Sequence, residues 1–540
     1  MEVQEMAISG QDLMNAYKDQ YGVINVKQYG AKGDGVQDDT AAFIAAKKEV
    51  MRLVTNFSSE NGQRRGNAVL YIPPGTYLIK SGKALMDDTM TSSAMGYSVQ
   101  GAGRMITRIV FDPNPAGQYL FYNRDGWNQI HVSDIEFQSR NGANNLFYSY
   151  SSGRSHGMEF ERIHVGGQWN YGFHLEGTNT DSEILWYKCG FSGEWNKVFY
   201  IPATASDQMV NYDFISCQFE VAKGDFIDVQ KGGSINVIGG SLLYYPGTTV
   251  GGTMFKLGVG GGDHNSGAMR FLCMGARVEL AKSVCRMLQS EWKAGIITFQ
   301  NVDNSVQAYQ ADKNWVNVSI NSQGDAFPNV VFDNCVLQGR HEYRYSGGGA
   351  QRLETIAYRS CSIAQHNTPD AFISLVNTSG TAPAAVPQIS FRNCSGTGST
   401  TMYKNLFDTE LNWSNTTSGR AEKKVLSINT AGNTLPYNRA ATEDVYLPLG
   451  AVITKVTVFM APNTTSSTAS GWSYTVRTSE ATPTVLATAT PSNGAPRNGF
   501  NTQKDVFFIC DTEEKRHIVL AASSAVTEAR KGYCLIEYIG

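Results

Sequence analysis

The chain has 540 residues, and its 45 basic against 48 acidic side chains leave a formal net charge of −3, which excludes the strongly basic surface that tracks a nucleic-acid backbone. Charged residues make up only 17%, whereas Gly reaches 54 and aromatic residues 11%, a profile of β structure with aromatic surfaces. No run of 18 apolar residues marks a membrane-spanning helix, and residues 1–22 lack the basic start, apolar run and cleavage site of a secretion signal.

Residues 24–37 read as a short strand and a glycine-rich turn. Asp38, Asp39 and Thr40 then supply N-cap chemistry, and Ala42, Phe43, Ala46, Val50 and Leu53 recur at helical spacing on one apolar face. Asp34, Asp38 and Asp39 crowd within six residues, but turn and cap duty accounts for all three. Residues 69–79 predict a strand, a Pro-Pro-Gly corner and a second strand, and residues 97–111 repeat the arrangement. Gly101 and Gly103 lack the third glycine and following helix of a phosphate-binding loop, so they read as a corner.

From Ile130 to Gly396 one pattern recurs ten times, first as Ile130, Val132, Ile135, Phe137 and later as Tyr212, Phe214, Cys217, Phe219. Its third apolar or small position forms an anchor column of Ile135, Ile163, Cys189, Cys217, Gly240, Ala276, Val302, Cys335, Cys361 and Cys394. Successive anchors lie 28, 26, 28, 23, 36, 26, 33, 26 and 33 residues apart, the spacing of stacked units. Alternation within each copy marks strands with one buried face, the doubled gap before the anchor marks a bend, and no helical stripe intervenes. These features predict an all-β chain built as a right-handed parallel β-helix, one coil per copy, with the helix of residues 40–53 as the lid of the first coil. Five of the nine cysteines stand in the anchor column and Cys273 faces inward. They read as small buried hydrophobes made in a reducing cytosol, without metal-ligand spacing.

After about residue 398 the composition turns to Thr, Ser and Asn. Strands are then expected at residues 445–449, 452–460, 472–478, 484–488, 506–510, 517–521 and 533–539, at the spacing of an antiparallel β-sandwich. The expected organisation is a capping segment over 1–60, a β-helix over 61–398 and a C-terminal sandwich over 399–540.

The run YGAKGDGVQDDTAAF, with YIPPGTY and QGAGRMITRIVF after it, resembles the N-terminal signature of the pectate-lyase-like parallel β-helix superfamily as used in bacteriophage tailspike depolymerases. The resemblance implies a homotrimer that binds and cuts a bacterial capsule, exopolysaccharide or O-antigen, joined to a phage tail or adaptor protein on the virion. It also implies that the C-terminal sandwich trimerises the chain or binds glycan. Only about 22 residues precede the lid, so attachment through a partner or a removed virion-binding domain is expected. Asn179, Thr180 and Asp181 match one motif of pectin hydrolases, but the Asp-Asp and Gly-His-Gly motifs do not follow, which argues against pectin.

Glycoside cleavage needs two carboxyl groups across the scissile bond, about 5 to 5.5 Å apart for retention or about 6.5 to 9.5 Å for inversion. Three positions past the anchor, Glu220 and Glu279 are the acids of the column Gln138, Gly166, Ser192, Glu220, Leu243, Glu279, Ser305 and Gln338, and they stand two coils apart. Glu194 and Asp303 lie nearby on the same grid and complete the catalytic candidates. Trp195, Tyr244, Tyr245 and Trp292 are candidate sugar platforms, with Arg277 and the loop residue His264 as polar binders. No cofactor and no metal is implied. A lyase acting on a uronic-acid glycan and a non-catalytic receptor-binding spike are the competing readings.

Overall fold

The computed structural model describes residues 22–56, 65–88, 94–124, 127–151, 157–178, 182–205, 211–231, 233–245, 251–261, 269–280, 285–306, 316–322, 327–345, 356–364, 373–377, 389–392, 394–397, 401–405, 410–412, 421–428, 440–447, 451–460, 474–489, 500–522 and 532–539. Long parallel sheets dominate, antiparallel sheets follow near the C-terminus, and two α-helices occur among the described residues. The chain divides into two compact units, one of Met1–Trp292 with Val302–Asp312 and one of Lys293–Asn301 with Lys313–Gly540.

The first unit stacks coil on coil in three faces. On the first face, Val23–Asn25, Arg65–Ile72, Ala94–Gly101, Ile130–Ser133, Met158–Glu161, Ile184–Tyr187, Tyr212–Ile215, Gly233–Ile238 and Met269–Met274 pair in parallel. The second face runs from Gly75–Ile79 through Thr107–Phe111 and Glu136–Arg140 to Ser241–Tyr244, Arg277–Leu280 and Asp303–Val306. Three long strands, His164–Gly177, Gly190–Ile201 and Gln218–Val229, begin on this second face and continue onto the third. There they join Tyr119–Arg124, Asn145–Ser151, Thr253–Leu257 and Arg286–Ser290.

The bend before each anchor has a definite backbone cause. Asp134, Arg162, Lys188 and Ser216 stand one residue ahead of the anchors at φ 60, 50, 52 and 52°, the left-handed region that turns the chain sharply. Each of their N–H groups donates to a carbonyl of the next coil, as Arg162 does to Tyr187 O at 2.9 Å and Lys188 to Ile215 O at 2.9 Å. The anchors face inward: Ile135 and Ile163 are fully buried, and Cys189 and Cys217 are 1% and 2% exposed. Cys189 Sγ donates to Phe160 O and Cys217 Sγ to Trp186 O, at 3.1 and 3.4 Å. The thiols therefore stitch successive coils. At the fifth anchor a side chain has no room, because a Cβ on Gly240 would fall 2.1 Å from Cys217 O.

Helix α1, Thr40–Asn56, packs against Val23–Asn25, Arg65–Ile72 and Ala94–Gly101 through Phe43, Ala46, Val50 and Leu53, all at or below 5% exposure. Asp39 takes the N–H groups of Lys32 and Gly33, and Asp38 takes that of Thr40 at 3.0 Å. Asp34 takes those of Val36 and Gln37, so all three carboxylates serve turn and cap. Lys47, buried under the helix, is held by Lys83 O and Asp87.

In the second unit, Ile296–Gln300, Asn329–Asp333, Ile356–Arg359 and Ile389–Arg392 pair in parallel. Val336–Gln338, Ser362–Ala364 and Ser395–Thr397 make a second parallel face, and Val316–Ser322, Arg340–Tyr345, Ile373–Asn377 and Thr401–Asn405 a third. The thiol ladder continues, with Cys335 and Cys361 donating to Phe299 O and Phe332 O, each at 3.4 Å. The chain then reverses. Ala421–Ile428 lies antiparallel on Ile389–Arg392 and on Gly532–Ile539, followed by Val452–Met460 and Phe500–Ile509. A four-stranded antiparallel sheet of Ala440–Tyr446, His517–Ala522, Tyr474–Thr478 and Val485–Ala489 accompanies it. Ile453, Val456, Val458, Val476, Leu520, Ile536 and Tyr538 form the shared core. Ala421–Ile428 had no counterpart among the strands expected from sequence.

Candidate functional site

The grid of coils and offsets is reproduced by the strand register. Gln138 pairs with Gly166, Ser192 with Glu220, Glu220 with Leu243, Leu243 with Glu279, and Glu279 with Ser305. Glu220 and Glu279 thus stand two coils apart, roughly 9.5 Å by strand spacing. Their surroundings differ. Glu220 is half-buried, whereas the Glu279 side chain is 4% exposed and lies in an ion pair beneath Arg277, itself 56% exposed. Asp303 is exposed and registers with Arg277.

Three of the expected sugar platforms require correction. Trp195 is 2% exposed, and Tyr244 and Trp292 are fully buried. Trp195 stacks on Trp169 with centroids 6.1 Å apart and donates from Nε1 to Ser192 O, while the Tyr244 hydroxyl is taken by Gly224 O. Their rings fill the coil interior because alternation points them inward, so no flat face remains for a sugar. Tyr245 is half-buried, with its hydroxyl on Glu220 O at 2.7 Å. His264 lies outside the described residues.

A cleft of about 540 Å³ opens where the second face turns into the third, lined by Gln168, Glu194, Asn196, Lys223 and Asp225 with the edges of Trp169 and Trp195. The long strands make this corner with a stack of glycines at positive φ. Gly193 sits at φ +100°, and a Cβ there would fall 2.1 Å from Gly167 O. Asn145, Asn170 and Asn196 continue the corner as an amide ladder, with Nδ2 to Oδ1 distances of 3.1 and 2.9 Å.

Two carboxyl groups on adjacent coils line the cleft. Glu194, 42% exposed in its side chain, registers with Lys223 and pairs with its Nζ at 2.9 Å. Asp225 lies two residues beyond Lys223 and registers with Lys197, a register shift separating this pairing from that of Glu194. Its side chain is 15% exposed, accepts Thr253 N at 2.9 Å and meets Lys256 Nζ at 3.1 Å. Burial pushes the Asp225 carboxyl above its usual range, with the nearby Asp228 charge adding to the rise, despite Lys256 and the Thr253 N–H. Asp228 is fully buried and takes Lys197 Nζ at 2.7 Å.

Beside the cleft, the third face carries an outward column of Tyr122, Tyr148, His174 and Tyr200. Tyr122 and Tyr148 stack at 4.8 Å, Tyr171 and Tyr200 at 5.1 Å, and Lys197 Nζ lies 3.7 Å from the centre of the Tyr200 ring. These half-buried rings provide the aromatic surface that the buried tryptophans do not. Sequence reasoning reached Glu194 but missed Asp225 and this wall. Their signal was present, since Gly167 and Gly193 mark a second corner, with Gly224 just past it on the next coil, from which a further offset could have been counted.

Residues 23–198 match the family model described as "Rhamnogalacturonase A/epimerase, pectate lyase-like", which bears out the superfamily resemblance read from sequence. The chain is 26% identical over 160 residues to the mannuronan C5-epimerase AlgE5 of Azotobacter vinelandii, covering 28% of this chain and 15% of that protein. It is 49% identical over 57 residues to a non-secreted LysM effector of Penicillium expansum, covering 11% of this chain and 4% of that one. The chain thus spans a small fraction of the length of these curated relatives. Among solved structures, the tailspike protein gp49 of the Acinetobacter baumannii bacteriophage Fri1, a capsular polysaccharide depolymerase, aligns over 96% of this chain and 86% of its own at 11% identity and TM-score 0.35.

Proposed function

We propose that the protein is a tailspike-type depolymerase that hydrolyses glycosidic bonds of a bacterial surface polysaccharide in the cleft between the second and third faces. The observation that carries the reading is the shared cleft of a buried Asp225 and a half-exposed Glu194 on the neighbouring coil. Hydrolysis needs one carboxyl group that donates to the leaving oxygen and one that activates water. Desolvation fits Asp225 for the first task, and the exposed, Lys223-paired Glu194 suits the second.

Substrate contacts would come from Gln168, Asn196 and Lys223 in the cleft, with Tyr171 and Tyr200 as stacking surfaces along the third face. Glu220, one coil from Ser192, and the Arg277–Glu279 pair extend a polar track on the second face. In this reading the chain acts as a homotrimer on a virion tail, outside the cell that made it, and touches neither nucleic acid nor bilayer.

The test is release of new reducing ends from purified capsule or exopolysaccharide. Asp225→Asn and Glu194→Gln are each expected to slow release by about 100-fold or more, with folding unchanged by circular dichroism. Unchanged rates in both would overturn the assignment, and the same loss in Glu220→Gln and Glu279→Gln instead would return the chemistry to that pair. A second reading, β-elimination on a uronic-acid glycan, is favoured by Lys223 and Lys197 beside the acids. Ultraviolet absorbance of an unsaturated product separates it from hydrolysis, and binding without any product marks a receptor-binding spike.

A further inference from the structure

A second constellation lies on the second face, before the cleft. Arg108, Glu136, His164 and Gly190 share one column on four successive coils. Two residues further along each strand, Gln138 registers with Gly166, and Ser192 occupies the next coil. Ser192 Oγ lies 3.1 Å from His164 Nε2. On the other side of the ring, His164 Nδ1 faces Glu136 Oε1 at 3.6 Å. Glu136, 2% exposed in its side chain, is fixed by Arg108 Nε at 2.8 Å and by Gln138 Nε2 at 2.8 Å.

This is the order nucleophile, base and orienting carboxylate. With the His164 proton on Nδ1 toward Glu136, Nε2 is free to accept from the Ser192 hydroxyl. Two glycines make the reach feasible. A side chain on Gly190 would place Cβ 3.0 Å from His164 Cδ2 and crowd the ring. At Gly166 a Cβ would crowd Ser192 Oγ at 3.1 Å, His164 Cε1 at 3.2 Å and Gln138 Nε2 at 2.6 Å, so the glycine lets these three side chains converge.

We propose that Ser192, His164 and Glu136 form a serine-esterase site that removes acyl groups from hydroxyl oxygens. Half-exposed Ser192 leaves the nucleophile open to the ester. Ser192 Oγ forms a bond to the acyl carbon while its proton passes to His164 Nε2 and the carbonyl electron pair moves to oxygen. Collapse breaks the bond to the alcohol oxygen, which leaves with the proton from His164. Water, deprotonated by the same nitrogen, then adds to the acyl-Ser192 carbon, the Oγ bond breaks, and the carboxylic acid departs as Oγ recovers its proton. Glu136 acts as a positioning residue through the imidazole. This site goes beyond glycosidic cleavage and uses neither Glu194 nor Asp225.

The test uses the full chain with a fluorophosphonate probe and with p-nitrophenyl acetate. The expected result is one covalent adduct per chain, mapped to Ser192 by peptide mass, and ester turnover that falls about 10³-fold or more in Ser192→Ala. Gly166→Ala, whose Cβ would displace the Gln138, Ser192 and His164 side chains, is expected to lose both adduct and turnover. Glu136→Gln is expected to slow labelling and to lower the His164 titration followed by NMR. The charged groups facing that ring are Glu136, Arg108 and Arg104, and the substitution removes the anionic one. No adduct on folded protein, an adduct on a different serine, or undiminished turnover in Ser192→Ala overturns the proposal. Should Gly166→Ala fail to fold, the adduct map and Ser192→Ala decide alone.

Discussion

Asp225 and Glu194 carry the same functional group one coil apart, and burial separates their chemistry. Burial pushes the Asp225 carboxyl above the ordinary aspartate range, so in the proposed hydrolysis the alkaline limb should report its ionisation. Lys256 works against that rise. Lys256→Met should therefore move the alkaline limb to higher pH, measured as reducing ends released against pH. In the second unit, burial acts on a base. His341 is fully buried, with Nδ1 on the Tyr358 hydroxyl at 2.8 Å, and desolvation lowers it from 6.5 to about 3. Between those values the unfolded chain binds a proton that the folded chain does not. Stability therefore falls as pH drops from about 6.5 toward 3, by up to about 1.4 kcal/mol per pH unit. His341→Gln should flatten this contribution in denaturant titrations over about pH 4 to 7.

At the scale of elements, corners fix the register. Gly193→Ala would drive a Cβ into Gly167 O and hold a side chain at φ +100°. A cost of about 3 kcal/mol or more is expected, seen as a lower melting temperature. Phe43→Ala empties the main contact of α1 with the first coils and should cost about 3 to 5 kcal/mol. The described cysteines are free thiols, so reductant should leave the melting curve unchanged. Much of this level was legible in the sequence. The anchor column, the bend before it and the apolar face of α1 all follow from side-chain alternation and turn chemistry, and the acid column survived the 36-residue gap after Gly240. Orientation was harder to read. Trp195 and Trp292 each follow a glutamate in sequence and Tyr244 a leucine, yet all three rings are buried. Asp225 escaped notice because Gln218–Val229 continues through a glycine corner, where a count from the anchor alone loses its reference.

For the molecule as a whole, the parallel coils and the antiparallel strands answer different needs. The coils supply a long outer surface on which like positions repeat, which suits a linear polymer laid along it. The antiparallel sheets keep their own core around Ile453, Val456, Leu520 and Ile536. If three chains assemble, light scattering should give three times the 59.0 kDa chain mass, and a value near one chain mass would remove the trimer from the proposed function. Lying outside the described residues, the loop bearing His264 gives no account of its expected role.

The reversal at Ala421–Ile428 has a further consequence. A parallel coil is a template, since its edge offers backbone groups in the one order that another coil can read. By lying antiparallel on Ile389–Arg392, this strand uses those groups while presenting the opposite polarity beyond them. It works as a chain terminator does in polymer chemistry: growth stops because the end no longer resembles the repeating unit. Without it, the open edge would accept a strand from another molecule, and a protein of fixed length would become the start of a fibre.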